Sequence, residues 1–176
     1  MDMRIHQAGS DPVFKVDNKV SVEEHSAAGK IYERRFNPYI MNEGTVAAVA
    51  GKDFCIVAGD TRVSMGYFIL SRDCSKVTKL TSKAVIASAG MRADALALHK
   101  VLKTKIKMYH HQFNKEPSIT AIAQMLSNTL YGRRFFPYYT FNLLCGVDDQ
   151  GAGAIFGYDA IGSYDRVNSG AEGSGS

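Results

Sequence analysis

Cysteine is scarce in this chain, and what there is lies scattered. The three cysteines, Cys55, Cys74 and Cys145, are odd in number and show no CxxC spacing. That argues against a disulfide framework or a zinc site and fits a reducing compartment. Long apolar runs are also lacking. None approaches the ~18 residues of a membrane span, and Met1 to Lys30 holds no apolar core of a secretory signal. Charge of one sign is not concentrated: the net charge is +4 and the basic residues form no long stripe. A soluble intracellular protein without a membrane or nucleic-acid partner is expected.

Familiar catalytic signatures are missing too. There is no HExxH and no GxSxG, and Ser64 and Ser88 have no evident His–Asp partners in the sequence. The glycine-rich tail after Ser169 lacks the lysine of a phosphate-binding loop, and no helix follows it, so a plain loop is expected there. Two of the five histidines, His6 and His25, fall in a polar N-terminal stretch. His99, His110 and His111 fall in a basic helical pattern, and His110 and His111, being adjacent, point different ways on a helix. All five are expected to be solvated, and no metal or cofactor is expected.

What is present is the material of one ordinary domain: 176 residues, 45% apolar, with nine Tyr and nine Phe, enough for a core. Residues 1–34 are polar and read as a loosely ordered arm or removable leader. From residue 35 onward aromatic and apolar residues begin, and this second region, 35–176, is expected to fold. Thr45–Ala50 and Phe54–Ala58 flank Gly51-Lys52-Asp53 and read as a hairpin. Neither run alternates cleanly, so strands buried on both faces are expected. Tyr67–Leu70, Val77–Leu80 and Ala84–Ser88 are further strand candidates.

The period then changes. Ala95, Leu98, Leu102, Ile106 and Tyr109 recur every three or four residues with lysines between them, predicting an amphipathic helix over 91–110 with a solvated basic face. Ser118 is a candidate N-cap for a second helix, with Ile119, Ile122, Leu126 and Leu130 on its apolar side and Gly132 near its end. Strands return at Tyr139–Val147, Gly153–Tyr158 and Tyr164–Val167. Strands, two helices, then strands indicate an α+β arrangement: two antiparallel sheets with helices outside.

One cluster carries chemistry: Gly44-Thr45, Asp60, Lys76 and Gly90. Asp60 lies sixteen residues beyond Gly44, and Lys76 sixteen beyond Asp60. A hairpin would return Asp60 to the start of its first strand, where Lys76 could meet it. A lysine held by a carboxylate lowers the cost of deprotonating a nearby hydroxyl. Spacing alone favours a structural Asp–Lys ion pair.

Several motifs together shift that balance. They are RFNPY at 35–39, Gly44-Thr45, IVAGDTR at 56–62, KVTKL at 76–80, Ser88-Ala89-Gly90, RRFFPYY at 133–139, and Gly162-Ser163-Tyr164 with the glycine-rich tail. The chain from Arg35 onward resembles β subunits of the 20S proteasome, and RRFFPYY points to the beta type-1 class. The resemblance implies an N-terminal-nucleophile hydrolase fold, a four-layer αββα sandwich, in which active members use a freed N-terminal threonine as nucleophile. In those members Asp and Lys tune the threonine, and a backbone N–H at the glycine matching Gly90 holds the oxyanion. Aligning Asp60 and Lys76 puts Gly44, which has no hydroxyl, in the nucleophile's place.

The implied protein is therefore a non-catalytic structural subunit with a degenerate site at Gly44, Asp60, Lys76 and Gly90. It would work among α and β subunits of a 28-subunit particle in cytoplasm and nucleus. The alternative is an active threonine endopeptidase using Thr45 after cleavage at Gly44. Further helices and strands that family members carry beyond the glycine-rich stretch are missing, so one helical layer is expected to be incomplete and the isolated chain poorly stable.

Overall fold

A computed structural model describes residues Asp2–Gln7, Pro12–Asp17 and 36–176. Contacts divide the chain into two units, Met1–Pro38 and Tyr39–Ser176. In the first, β1 (Asp2–Gln7) and β2 (Pro12–Asp17) pair antiparallel, Ile5 opposite Phe14 and Met3 opposite Val16. The sequence reading placed no strands in this polar arm. Its apolar residues are few, but they recur at alternate positions on β1, which is the strand period. The expectation for the rest of residues 1–34 lies outside the described residues.

The second unit holds the core. Its strands are β3 (Thr45–Ala50), β4 (Cys55–Gly59), β5 (Val63–Met65), β6 (Phe68–Ser71), β7 (Val77–Lys79) and β8 (Ala84–Gly90). Helices α1 (Arg92–Phe113) and α2 (Ile119–Tyr131) follow, then β9 (Thr140–Val147), β10 (Gly153–Tyr158), β11 (Tyr164–Val167) and β12 (Ser169–Gly173). One sheet runs β11-β10-β9-β8-β7 and a second β12-β3-β4, antiparallel throughout; β5 and β6 form a separate hairpin.

Strand periodicity makes the layers. Ile86, Leu144 and Phe156 on β8, β9 and β10 meet Leu98, Leu102, Ile122 and Leu126 of the two helices. Their alternate neighbours Ala87, Leu143, Cys145 and Ile155 meet Val46 and Ala48 of β3 across the gap between sheets. The five-stranded sheet is thus buried on both faces, as two-sided strands require. The helices follow their apolar stripes. Ser118 Oγ accepts from the Ala121 amide at the head of α2, satisfying one of the free N–H groups at that end.

Two expectations are corrected here. The first hairpin is not buried on both faces. Val46 and Ala48 are buried, but Val49 on β3 and Ile56 on β4 are 56% and 62% exposed. The alternation is real but is masked in the sequence, because alanine serves both faces. The glycine-rich tail is not simply a loop. Residues Ser169–Gly173 form β12, paired in register with β3 from Ser169 opposite Val49 to Gly173 opposite Thr45. Small residues are needed there: a Cβ on Gly173 would lie 2.0 Å from the Gly44 carbonyl oxygen.

Candidate functional site

The site forms where β3 begins. Glu43 and Gly44 both take positive φ, 58° and 106°, which turns the chain sharply into the strand. The Thr45 amide donates to Asp60 Oδ1 at 2.8 Å, and the Asp60 amide donates to the Thr45 carbonyl at 3.1 Å. The hairpin thereby returns Asp60 to the first residues of β3. Lys76, 4% exposed, enters from the segment before β7. Its Nζ lies 3.0 Å from both Asp60 carboxylate oxygens and also donates to the Asp60 and Arg62 carbonyls. Burial alone would raise the Asp60 carboxyl. The Thr45 amide, the Lys76 ammonium and the Arg62 amide outweigh it and leave the carboxyl below its ordinary value.

The decisive geometry is at Gly44. A Cβ built there would lie 2.2 Å from Lys76 Cε, 2.9 Å from Lys76 Nζ and 3.0 Å from Asp60 Oδ1. The flexible end of Lys76 rests in the space beside Gly44 and would have to shift for a side chain there. Positive φ adds a second penalty for any residue but glycine. Thr45 lies on the opposite strand face from Val46, with Ala47 and Val49. Its hydroxyl accepts a hydrogen bond from the Gly175 amide at 2.9 Å. Gly90, also at positive φ (107°), lines a cavity of about 330 Å³ together with Gly44, Tyr139 and Glu172. A larger cleft of about 620 Å³ also borders Gly44, lined among others by Asp60, Arg62 and Arg72. The four residues singled out in the sequence, Gly44, Asp60, Lys76 and Gly90, therefore do converge.

The segment ahead of the site is tightly held. Asn42 is buried; its amide nitrogen donates to the Ser64 carbonyl and its amide oxygen accepts from the Arg92 amide. Ser64 Oγ donates to Glu43 Oε2. The Tyr39 hydroxyl donates to the Pro137 carbonyl, and its ring packs against Phe136 and Tyr139 of the RRFFPYY stretch. Sequence reasoning missed Asn42 and Ser64 as anchors, and no local pattern marks them. It also missed that Ser174 and Gly175 reach back to Gly44 and Thr45.

His99 is a correction. It was expected to be solvated and is 4% exposed. Its Nε2 is 2.7 Å from Ser88 Oγ and its Nδ1 3.1 Å from Thr78 Oγ1. Ser88 gives its own proton to Asn142 Oδ1, so it accepts from a protonated Nε2, and Nδ1 accepts from Thr78. A neutral ring satisfies this network. Burial, then the charges of Arg92 and Lys103, lower its pKa to about 4. The signal was in the sequence: His99 falls between Ala95 and Leu102 on the apolar stripe of α1. Among the described residues no cluster of His, Cys, Asp or Glu could hold a metal.

Two sheets packed face to face, helices on one outer face, and an Asp–Lys pair at the head of the first core strand define an α+β sandwich of the N-terminal-nucleophile hydrolase type. A model of the proteasome subunit family matches residues 41–176, and the chain belongs to that family. Its relatives are of the beta type-1 class. It is 57% identical over 141 residues to proteasome subunit beta type-1 of Arabidopsis thaliana, covering 80% of this chain and 63% of that one. It is 54% identical over 144 residues to the Petunia hybrida protein of the same name, covering 82% and 65%. It is 49% identical over 155 residues to that of Danio rerio, covering 88% and 65%. The chain thus spans less than two thirds of the length of these relatives.

Proposed function

We propose that this chain acts as a structural, non-catalytic β-type subunit of the proteasome core. It would help wall the chamber among α and β subunits of a 28-subunit particle, in cytoplasm and nucleus, while sibling subunits cut the substrate. The observation that carries the reading is residue 44 itself: a glycine, with no hydroxyl to attack, stands at φ 106° beside the Asp60–Lys76 pair. The Asp60–Lys76 pair is here a closed structural unit that braces β3 against the chain entering β7.

The reading in which Thr45 attacks after cleavage at Gly44 is the weaker one. The Thr45 hydroxyl faces Gly175, its nitrogen is bound to Asp60, and the anchored segment from Tyr39 to Glu43 would have to be removed.

The test is N-terminal sequencing of the subunit from assembled particles, with labelling by a peptide epoxyketone. The expected mature start lies at or before Arg35, with no label on this chain. A start at Thr45 with covalent label would overturn the proposal. Gly44→Thr is expected to gain no label and to lower the unfolding free energy by about 1–3 kcal/mol, from backbone strain at a positive φ.

A further inference from the structure

The core between the two sheets holds two of the three cysteines. Cys145 on β9 is fully buried on the face it shares with Leu143, and Cys55 at the start of β4 packs against the same cluster from the opposite sheet. Both are free thiols. Cys55 pairs with Ala50 of β3, and Cys145 with Val85 of β8 and Ile155 of β10. Sheets stacked face to face ordinarily stand about 10 Å apart. That is too far for a disulfide, whose Cα atoms lie about 4.4–6.8 Å apart. At this end of the sandwich the gap is narrower. Gly153, which opens β10, lies against the turn between β3 and β4, where a Cβ on it would collide with the carbonyl oxygens of Gly51 and Phe54. Phe54 precedes Cys55 in the chain, and Gly153 stands opposite Val147, two residues along β9 from Cys145. Backbone contact between the sheets there brings two short side chains towards each other. Burial pushes the Cys145 thiol up to about 12, and the neighbouring Cys55 adds to the shift, an effect that requires the sulfurs to be close. Cys74 is not a member of this cluster.

We infer that Cys55 and Cys145 are an oxidative modification site, a thiol pair that a hydroperoxide converts into a disulfide joining the two sheets. Cys55, half-buried, meets the oxidant first. Its sulfur attacks one peroxide oxygen. The S–O bond forms as the O–O bond breaks, which leaves a sulfenic acid and releases water. The Cys145 sulfur then attacks the Cys55 sulfur. The S–S bond forms, the S–O bond breaks, and the departing hydroxide takes the Cys145 proton to give a second water. Two electrons pass from the thiols to the peroxide. Burial raises both thiols, so the reaction is slow and answers sustained oxidation. The bond ties residues ninety positions apart and fixes β4, the strand that leads into Asp60. The inference does not depend on which assembly the chain joins.

Hydrogen peroxide is the probe, added to the full chain and, separately, to its native complexes. Each sample is denatured in an alkylating reagent, digested without reductant and mapped by mass spectrometry. The expected product is a linked peptide pair, Cys55 with Cys145, lacking two hydrogens and absent from the untreated chain. The denaturant midpoint of the chain should rise on oxidation and return on reduction, because a cross-link over so long a loop restricts the unfolded chain. Cys55→Ala and Cys145→Ala should each abolish both changes, and Cys74→Ala neither. The map of the unsubstituted chain decides the matter even where a variant folds poorly. The inference is overturned if Cys145 is still alkylated while Cys55 has gone on to a sulfinic acid, if links run chiefly to Cys74, or if no cysteine reacts. A link that lowers the midpoint would mean that it forms in the unfolded chain, which overturns the inference as well.

Discussion

At the scale of single residues, His99 shows how a buried titratable group couples this fold to pH. It is neutral in the folded chain, with a pKa of about 4 against an ordinary 6.5. The unfolded chain takes up a proton near pH 6.5 and the folded chain does not until about pH 4. Stability from this residue is therefore complete above pH 6.5 and is lost as pH falls from 6.5 to 4, by about 3 kcal/mol in all. Denaturant unfolding from pH 7 to 4 should show that slope, and His99→Gln should flatten it while costing some stability at pH 7. An unchanged slope in the variant would move the effect elsewhere. Lowered carboxyls such as Asp60 contribute in the same direction, but in the range below the ordinary carboxylate pKa. The site residues Gly44, Asp60 and Lys76 were legible because their spacing is fixed by one hairpin and a short return. That the end of Lys76 rests in the space beside Gly44 was not, since the sequence carries spacing but no volumes.

At the scale of elements, the helices were the most legible. Their 3.6-residue stripes and the Ser118 cap are local signals, and the buried residues of both follow the stripes. Ser118→Ala should lower stability by about 1 kcal/mol, and helical content at moderate denaturant should fall with it; no change would mean the Ala121 amide finds another acceptor. Strands were read less well for definite reasons. β5 has only three residues, too few to show a period. β12 is Ser-Gly-Ala-Glu-Gly, a composition that favours turns when taken alone. It is a strand because β3 supplies its partners, which no local pattern reveals.

At the scale of the whole molecule, helices cover one sheet while the outer face of the other is open to water. Val49, Phe54 and Ile56 are at least half exposed there, so the described residues form helix, sheet and sheet rather than four layers. Val49 on β3 and Ile56 on β4 give that sheet an apolar outer face. Exposed apolar surface of this kind favours association. The isolated 176-residue chain should therefore bind a hydrophobic dye and melt broadly at low temperature. A sharp, cooperative transition at high temperature, with no dye binding, would show that the open face costs it little.

The tie between the Gly175 amide and Thr45 joins positions 130 residues apart, and β12 completes the sheet of which β3 is the middle strand. On the ribosome, therefore, the first core strand emerges early with only β4 beside it. Its other edge stays unpaired until β12 has been made, which slows closure and prolongs the exposure of that edge. A ribosome stalled between α2 and β9 would display that edge to whatever helper proteins attend the nascent chain. The segment around Gly44 can take its final form only after synthesis has passed residue 175.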